Sequence, residues 1–211
     1  GYTVRILGEG SNGGNITHPA AVRDPLNTIS AIMKLLMLTS DGETPGLFEI
    51  WCRKSNQMDK YKDNFTLTDV IGTIPGFITT SAYEDRAILR IKTESHKKLK
   101  KNYEDTFLTE WEKNKDILKN KFDITSWVEI NTEGTMEKYG MGPHLRTGNE
   151  TGGLKILLKD SNGDNSAYLW MRGSGTEPVF RVLVDSKGLD QSKEEFLLNW
   201  HTEMIKIADN M

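Results

Sequence analysis

Apolar and polar positions alternate at the start of the chain. Tyr2, Val4 and Ile6 are spaced two apart, and this period predicts a strand over 2–7. The strand runs into a glycine-rich loop, Gly8-Glu9-Gly10-Ser11-Asn12-Gly13. Pro19 and Pro25 keep residues 15–25 out of any continuous helix. The period then changes. Leu26, Ile29, Ile32, Met33, Leu36 and Met37 form one apolar stripe at helical spacing, with Asp24 suited to cap the first turn and Pro25 to its first position. Turn residues over 38–46 end this helix. The short apolar run 47–51 fits a strand or a buried helix equally. A brief helix is predicted from Thr66, with Leu67, Val70 and Ile71 inward, up to a break at Pro75-Gly76.

Beyond the break the pattern predicts a strand within 78–92, from the alternation of Ala87, Leu89 and Ile91. A long amphipathic helix follows over 95–118, with Leu99, Tyr103, Phe107, Trp111 and Leu118 inward. Residues 127–130 read as a brief strand and 131–153 as a glycine-rich loop. Strands at 155–159 and 168–171 flank Ser161-Asn162-Gly163-Asp164, where Asn-Gly favours a tight hairpin turn. A strand at 179–184 and a closing helix capped by Asp190 complete the chain. Phe196, Trp200, Met204 and Ile207 form the inner face of that helix. The pattern divides the chain near residue 76 into an incomplete α/β piece and an α+β domain.

Composition narrows the partners. The 211 residues carry a formal net charge of −3, which gives no global attraction to nucleic acid or to an anionic membrane. No apolar stretch approaches the roughly 20 residues that span a bilayer. The single cysteine, Cys52, rules out an internal disulfide framework and fits a reducing compartment, so a cytoplasmic location is expected. The chain opens on Gly1, not Met, and enters a strand at once, which reads as a fragment.

The spacing Gly8-x-Gly10-x-x-Gly13 matches the dinucleotide-binding fingerprint, but its context does not. That motif needs a helix starting at the glycines and an acidic residue ending a second strand about 20 positions on. Here the helix begins some ten residues later, and Asp41 falls in a turn. Glu9 and Ser11 offer different chemistry: two residues apart in extended backbone, they project to one side, and a carboxylate accepts from vicinal sugar hydroxyls. A solvated turn is the plain alternative.

The stretch 170–184, WMRGSGTEPVFRVLV, has the makings of an anion cradle. Arg172 offers a planar fork for two phosphate oxygens. Ser174 and Thr176 add hydroxyls, Gly173 and Gly175 let backbone N–H groups approach closely, and Arg181 can add charge. It is not a P-loop, since no Gly-Lys-[Ser/Thr] stands at the required spacing.

Together the two loops resemble those of the α-D-phosphohexomutases, the phosphoglucomutases and phosphomannomutases. The segment from Arg172 to Pro178 resembles that family's phosphate-binding signature, and Gly8-Glu9-Gly10-Ser11 its sugar-binding loop. Arg23-Asp24 before a helix also fits the family pattern. The resemblance implies that 1–76 is the C-terminal part of domain 3, a partial three-layer α/β domain. It implies that 77–211 is domain 4, an α+β domain with an antiparallel sheet of TATA-binding-protein-like fold. Glu9 and Ser11 would bind sugar hydroxyls, with Arg23 reaching the substrate. Arg172, Ser174, Gly175 and Thr176 would grip the non-reacting phosphate. The whole enzyme would be an intramolecular phosphotransferase of carbohydrate metabolism. It would interconvert hexose 1-phosphate and hexose 6-phosphate through a hexose 1,6-bisphosphate, using a phosphoserine and Mg²⁺. Neither the phosphoserine loop nor the metal loop occurs here, so this chain carries no catalytic and no metal-binding residue of that set and is expected to be inactive alone. Its implied partners are hexose phosphates and the missing N-terminal domains, with no nucleic acid and no membrane. Many relatives of mannose or amino-sugar specificity read Glu-x-Ser-Gly-His, whereas Asn12 and Gly13 follow Ser11 here, closer to glucose-type members. A stand-alone, non-catalytic sugar-phosphate-binding module is the alternative reading. A nucleic-acid or protein interaction domain is a third, against which the acidic net charge argues.

Asp160 to Asp164 read as a hairpin turn, not a metal loop. His18, His96, His144 and His201 lack metal spacing and are expected at the surface or in caps. Residues 96–101, HKKLKK, precede Glu104, Asp105, Glu110 and Glu112 on the same helix and read as a solvated mixed-charge face.

Overall fold

The computed structural model describes residues 6–9, 14–81, 83–133, 136–145, 152–173 and 179–211; the side chains of residues 7–9 and 14 are also outside the description. The chain mixes helices with antiparallel sheet and forms two compact units, Gly1–Pro75 and Gly76–Met211.

In the first unit, β1 (Ile6–Glu9) pairs antiparallel with β2 (Gly14–Thr17), so the glycine-rich segment joins the two strands of a hairpin. The strand expected over 2–7 is seen only from Ile6, its earlier part lying outside the described residues, and β2 was not anticipated. Helix α1 (Pro25–Met37) starts as its sequence dictates. The Asp24 carboxylate accepts from the backbone N–H of Leu26 at 3.0 Å and of Asn27 at 3.2 Å, with Pro25 in the first turn. The ambiguous run resolves as helix α2 (Leu47–Lys54). Thr66 caps α3 (Leu67–Ile71) through a capping box with Asp69. Here Val70 is inward as expected, whereas Leu67 and Ile71 are exposed, because five residues of helix turn only one side to the small core of Phe48, Cys52 and Val70. Tyr61 and Phe65 close on Phe48.

The second unit is built on a seven-stranded antiparallel sheet. Its strands are β3 (Phe77–Thr79), β4 (Ile88–Leu89), β5 (Ser126–Glu133), β6 (Met136–Tyr139), β7 (Gly153–Lys159), β8 (Asn165–Gly173) and β9 (Phe180–Lys187). The order is β3-β9-β8-β7-β5-β6, with β4 also on β9. Two sequence expectations are corrected here. The single strand within 78–92 is β3, a turn of 3-10 helix at Asp85–Ala87 and then β4, because β3 and β4 each pair with a different stretch of β9. The loop expected over 131–153 begins with the end of β5 and contains β6, whose polar Glu137 and Lys138 give no apolar alternation to read.

Alternate residues of β7, β8 and β9, among them Leu154, Ile156, Leu158, Leu169, Met171, Phe180, Val182 and Val184, are buried against two helices on one face. Helix α4 (His96–Phe122) contributes Leu99, Tyr103, Phe107 and Leu118, and α5 (Gln191–Asp209) contributes Leu197, Trp200, Met204 and Ala208. Ile207, expected inward, is exposed. Between β7 and β8, the Asp160 carboxylate accepts from the N–H groups of Asn162 and Asp164, both at 2.9 Å, and Gly163 takes φ +82°. The segment is a turn, as its composition predicts.

Candidate functional site: the end of the β8–β9 hairpin

Arg172 is the penultimate residue of β8, and Arg181 stands directly opposite it on β9. Gly173 pairs with Phe180, and residues 174–178 connect the two strands. Directly opposed residues of an antiparallel pair point to the same face. Since Met171 and Val182 are buried among the helices, Arg172 and Arg181 lie on the other face of the sheet. Arg172 is exposed and Arg181 half-buried. Both side chains are guanidinium groups, each a planar fork of N–H donors. The hairpin therefore places two cationic side chains side by side on one face of the sheet.

Ser174, Gly175 and Thr176 lie outside the described residues, as does Ser11. Glu9 has its backbone in β1, opposite Gly14. Arg23 is exposed, immediately before the cap of α1. The structure thus brings Arg172 and Arg181 together. Glu9 and Arg23 belong to the first unit.

Three features of this site were not read from the sequence. From the sequence, Gly173 is a residue that lets an anion approach. A Cβ built there would fall inside the His96 imidazole, so the glycine also makes room for a side chain. His96, half-buried, packs edge-on against Phe180 with ring centroids 5.6 Å apart. Trp170 shares the face of Arg172, whose Cζ lies 5.8 Å from the indole centroid. The period of two, applied to residues 170 and 172, was enough to find this neighbour.

The third feature is His201, expected at the surface and found fully buried. Its Nδ1 is 2.7 Å from the Tyr103 hydroxyl and its Nε2 is 3.2 Å from the Trp170 carbonyl oxygen. A carbonyl only accepts, so Nε2 donates to it and Nδ1 accepts from the tyrosine hydroxyl. Burial lowers the His201 pKa to about 4 and raises that of Tyr103 well above its ordinary value, keeping both groups neutral. The chain Tyr103–His201–Trp170 ties α4 and α5 to the strand that carries Arg172.

The mixed-charge reading of residues 96–101 holds for Lys101, which pairs with Asp105 at 3.1 Å on the surface. It fails for Lys100, whose ammonium is buried and donates to the Gly152 carbonyl at 2.6 Å, just ahead of β7. Glu104, also buried, accepts from the N–H of Gly142 at 3.3 Å. Among the described residues no group of three or more His, Cys, Asp or Glu side chains is placed to hold a metal ion. Among the described residues no helix is long and apolar enough to cross a membrane. No protein-family model matches the chain, and no curated protein matches it.

Proposed function

We propose that this chain is the sugar- and phosphate-binding C-terminal part of a phosphohexomutase, with 1–76 the end of its third domain and 77–211 its fourth, of TATA-binding-protein-like fold. The observation that carries the reading is the register of Arg172 against Arg181 at a hairpin whose connection reads Ser174-Gly175-Thr176-Glu177-Pro178. Two guanidinium side chains, two hydroxyls and a glycine backbone within ten residues of sequence supply the donors of a grip for a phosphate dianion.

In this reading the chain binds and orients, and other domains break bonds. Arg172, with Arg181 beside it, holds the phosphate that does not react, while Glu9 and Ser11 accept and donate hydrogen bonds to sugar hydroxyls. A hexose bisphosphate can be held by either phosphate, so one grip serves both half-reactions. Its contribution is positional: the reacting phosphate is delivered to a fixed place. The magnesium ion and phosphoserine of such an enzyme would lie outside residues 1–211.

Replacing Arg172 tests the grip. Arg172→Ala removes a charged hydrogen-bond donor, which costs about 1.5–3 kcal/mol of binding, roughly ten- to hundredfold in Kd for glucose 6-phosphate. Titration calorimetry against wild type measures it. Equal affinity in the two proteins overturns the reading.

A further inference from the structure

The exposed side chain of Arg172 has no place in the helix-packed core that would fix its direction, yet a bidentate grip needs the guanidinium plane held before the ligand arrives. The neighbouring geometry supplies the hold. Trp170 is half-buried on the same face of β8, and the Arg172 guanidinium sits 5.8 Å from its ring centroid. The indole is fixed in turn. A Cβ on Gly153, the first residue of the adjacent strand, would lie 2.5 Å from Trp170 Nε1 and 2.7 Å from Thr132 Oγ1. The ring therefore occupies the space that a side chain at 153 would fill. From the opposite side of the sheet, His201 Nε2 donates to the Trp170 carbonyl at 3.2 Å.

The geometry points to Trp170 as a positioning residue for Arg172, with Gly153 as the gap that lets the indole lie under the guanidinium. This rests on the phosphate-binding reading above and extends it. A cation over an aromatic face keeps its in-plane N–H donors free, so the stack orients the fork without using up the hydrogen bonds that meet the phosphate. Trp170 touches the arginine rather than the ligand, and its effect on binding passes through Arg172.

The test is a double-mutant cycle in glucose 6-phosphate affinity, with inorganic phosphate as a second probe. Trp170→Leu is expected to weaken binding about two- to fivefold. Trp170→Phe, which keeps an aromatic face, restores most of it. Gly153→Ala weakens binding similarly by displacing the indole without altering it. In an Arg172→Ala background, Trp170→Leu has no further effect. A ligand-free readout runs beside the cycle. In the wild-type protein the Arg172 Nε–Hε resonance is shifted by the indole ring current, and the shift changes in Trp170→Phe. If wild type fails to bind either probe at millimolar concentration, the phosphate-binding reading falls and the positioning role falls with it. If wild type binds but Trp170→Leu weakens binding equally with and without Arg172, only the positioning role falls. An unshifted Arg172 resonance in the wild-type protein overturns the stack whether or not the variants fold.

Discussion

α1 and α4 carry the same kind of sequence pattern, apolar residues at helical spacing along one side, and they end in opposite surroundings. Helix α4 buries Leu99, Tyr103, Phe107 and Leu118 completely, whereas α1 buries none of its residues. Leu26 is 74% exposed and Met37 72%. The difference follows the sheets. The second unit offers α4 a wide face of Leu, Ile, Val and Phe on β7, β8 and β9. The described part of the first unit offers two short strands and a core of three residues. An amphipathic stripe states which side of a helix would bury apolar area; it does not state that the partner lies in the same stretch of chain.

The most forceful way to break this comparison is to empty the larger core. Phe107 is fully buried and meets the rings of Tyr103, Trp111, Trp127 and Trp200. Phe107→Ala is expected to cost about 3–5 kcal/mol in urea unfolding, the range for an aromatic removed from a packed interior. Trp51, the tryptophan of the first unit, donates to Thr73 Oγ1 at 2.8 Å. Its indole N–H resonance, assigned separately from those of Trp111, Trp127, Trp170 and Trp200, reports whether the first unit loses structure along with the second. Loss of both signals in one transition would mean that the two units unfold as one.

Acid offers a gentler probe confined to the second unit. The folded His201 pKa is about 4, below its ordinary 6.5, so the unfolded chain takes up this proton first as pH falls. Stability from this group is complete above about pH 6.5 and declines toward pH 4. The loss over that window is roughly 3 kcal/mol. Between pH 6.5 and 5 most carboxylates remain ionised, which leaves the histidine to set the slope. Chemical denaturation at half-unit steps checks the slope. A His201 ring that titrates near 6.5 by NMR would contradict it.

The sequence made some of this legible, and the reason differs by element. Helix caps are local: Asp24, Thr66 and Asp190 each bond to backbone within three residues, so their roles were readable without the fold. The facing of Arg172 and Arg181 needs the register of β8 on β9, which two strands joined by a short segment nearly dictate. The burial of His201, Lys100 and Glu104 was not readable. Each is decided by partners far along the chain, such as Tyr103 for the histidine and Gly152 for the lysine. Composition assigns such residues to the surface because an unpaired polar group rarely tolerates burial. The sequence alone does not say where the pairing occurs. Gly153 and Gly173 belong to the same class, since the side chains that fill their missing Cβ positions come from Trp170 and His96.

The smallest effects sharpen the comparison from the side of α1. Its cap is a built interaction, and Asp24→Ala is expected to cost about 1 kcal/mol by freeing two backbone donors. Its stripe is different. Ile29 is 53% exposed, and alanine is the better helix former. Ile29→Ala should therefore change stability by less than about 0.5 kcal/mol, as substitutions on an uncovered surface do. The two variants, measured together through the Trp51 signal, separate a helix held by its ends from one held by its face. If Ile29→Ala costs 2 kcal/mol or more while Asp24→Ala costs its expected one, the stripe is covered in solution. α1 would then be held as α4 is.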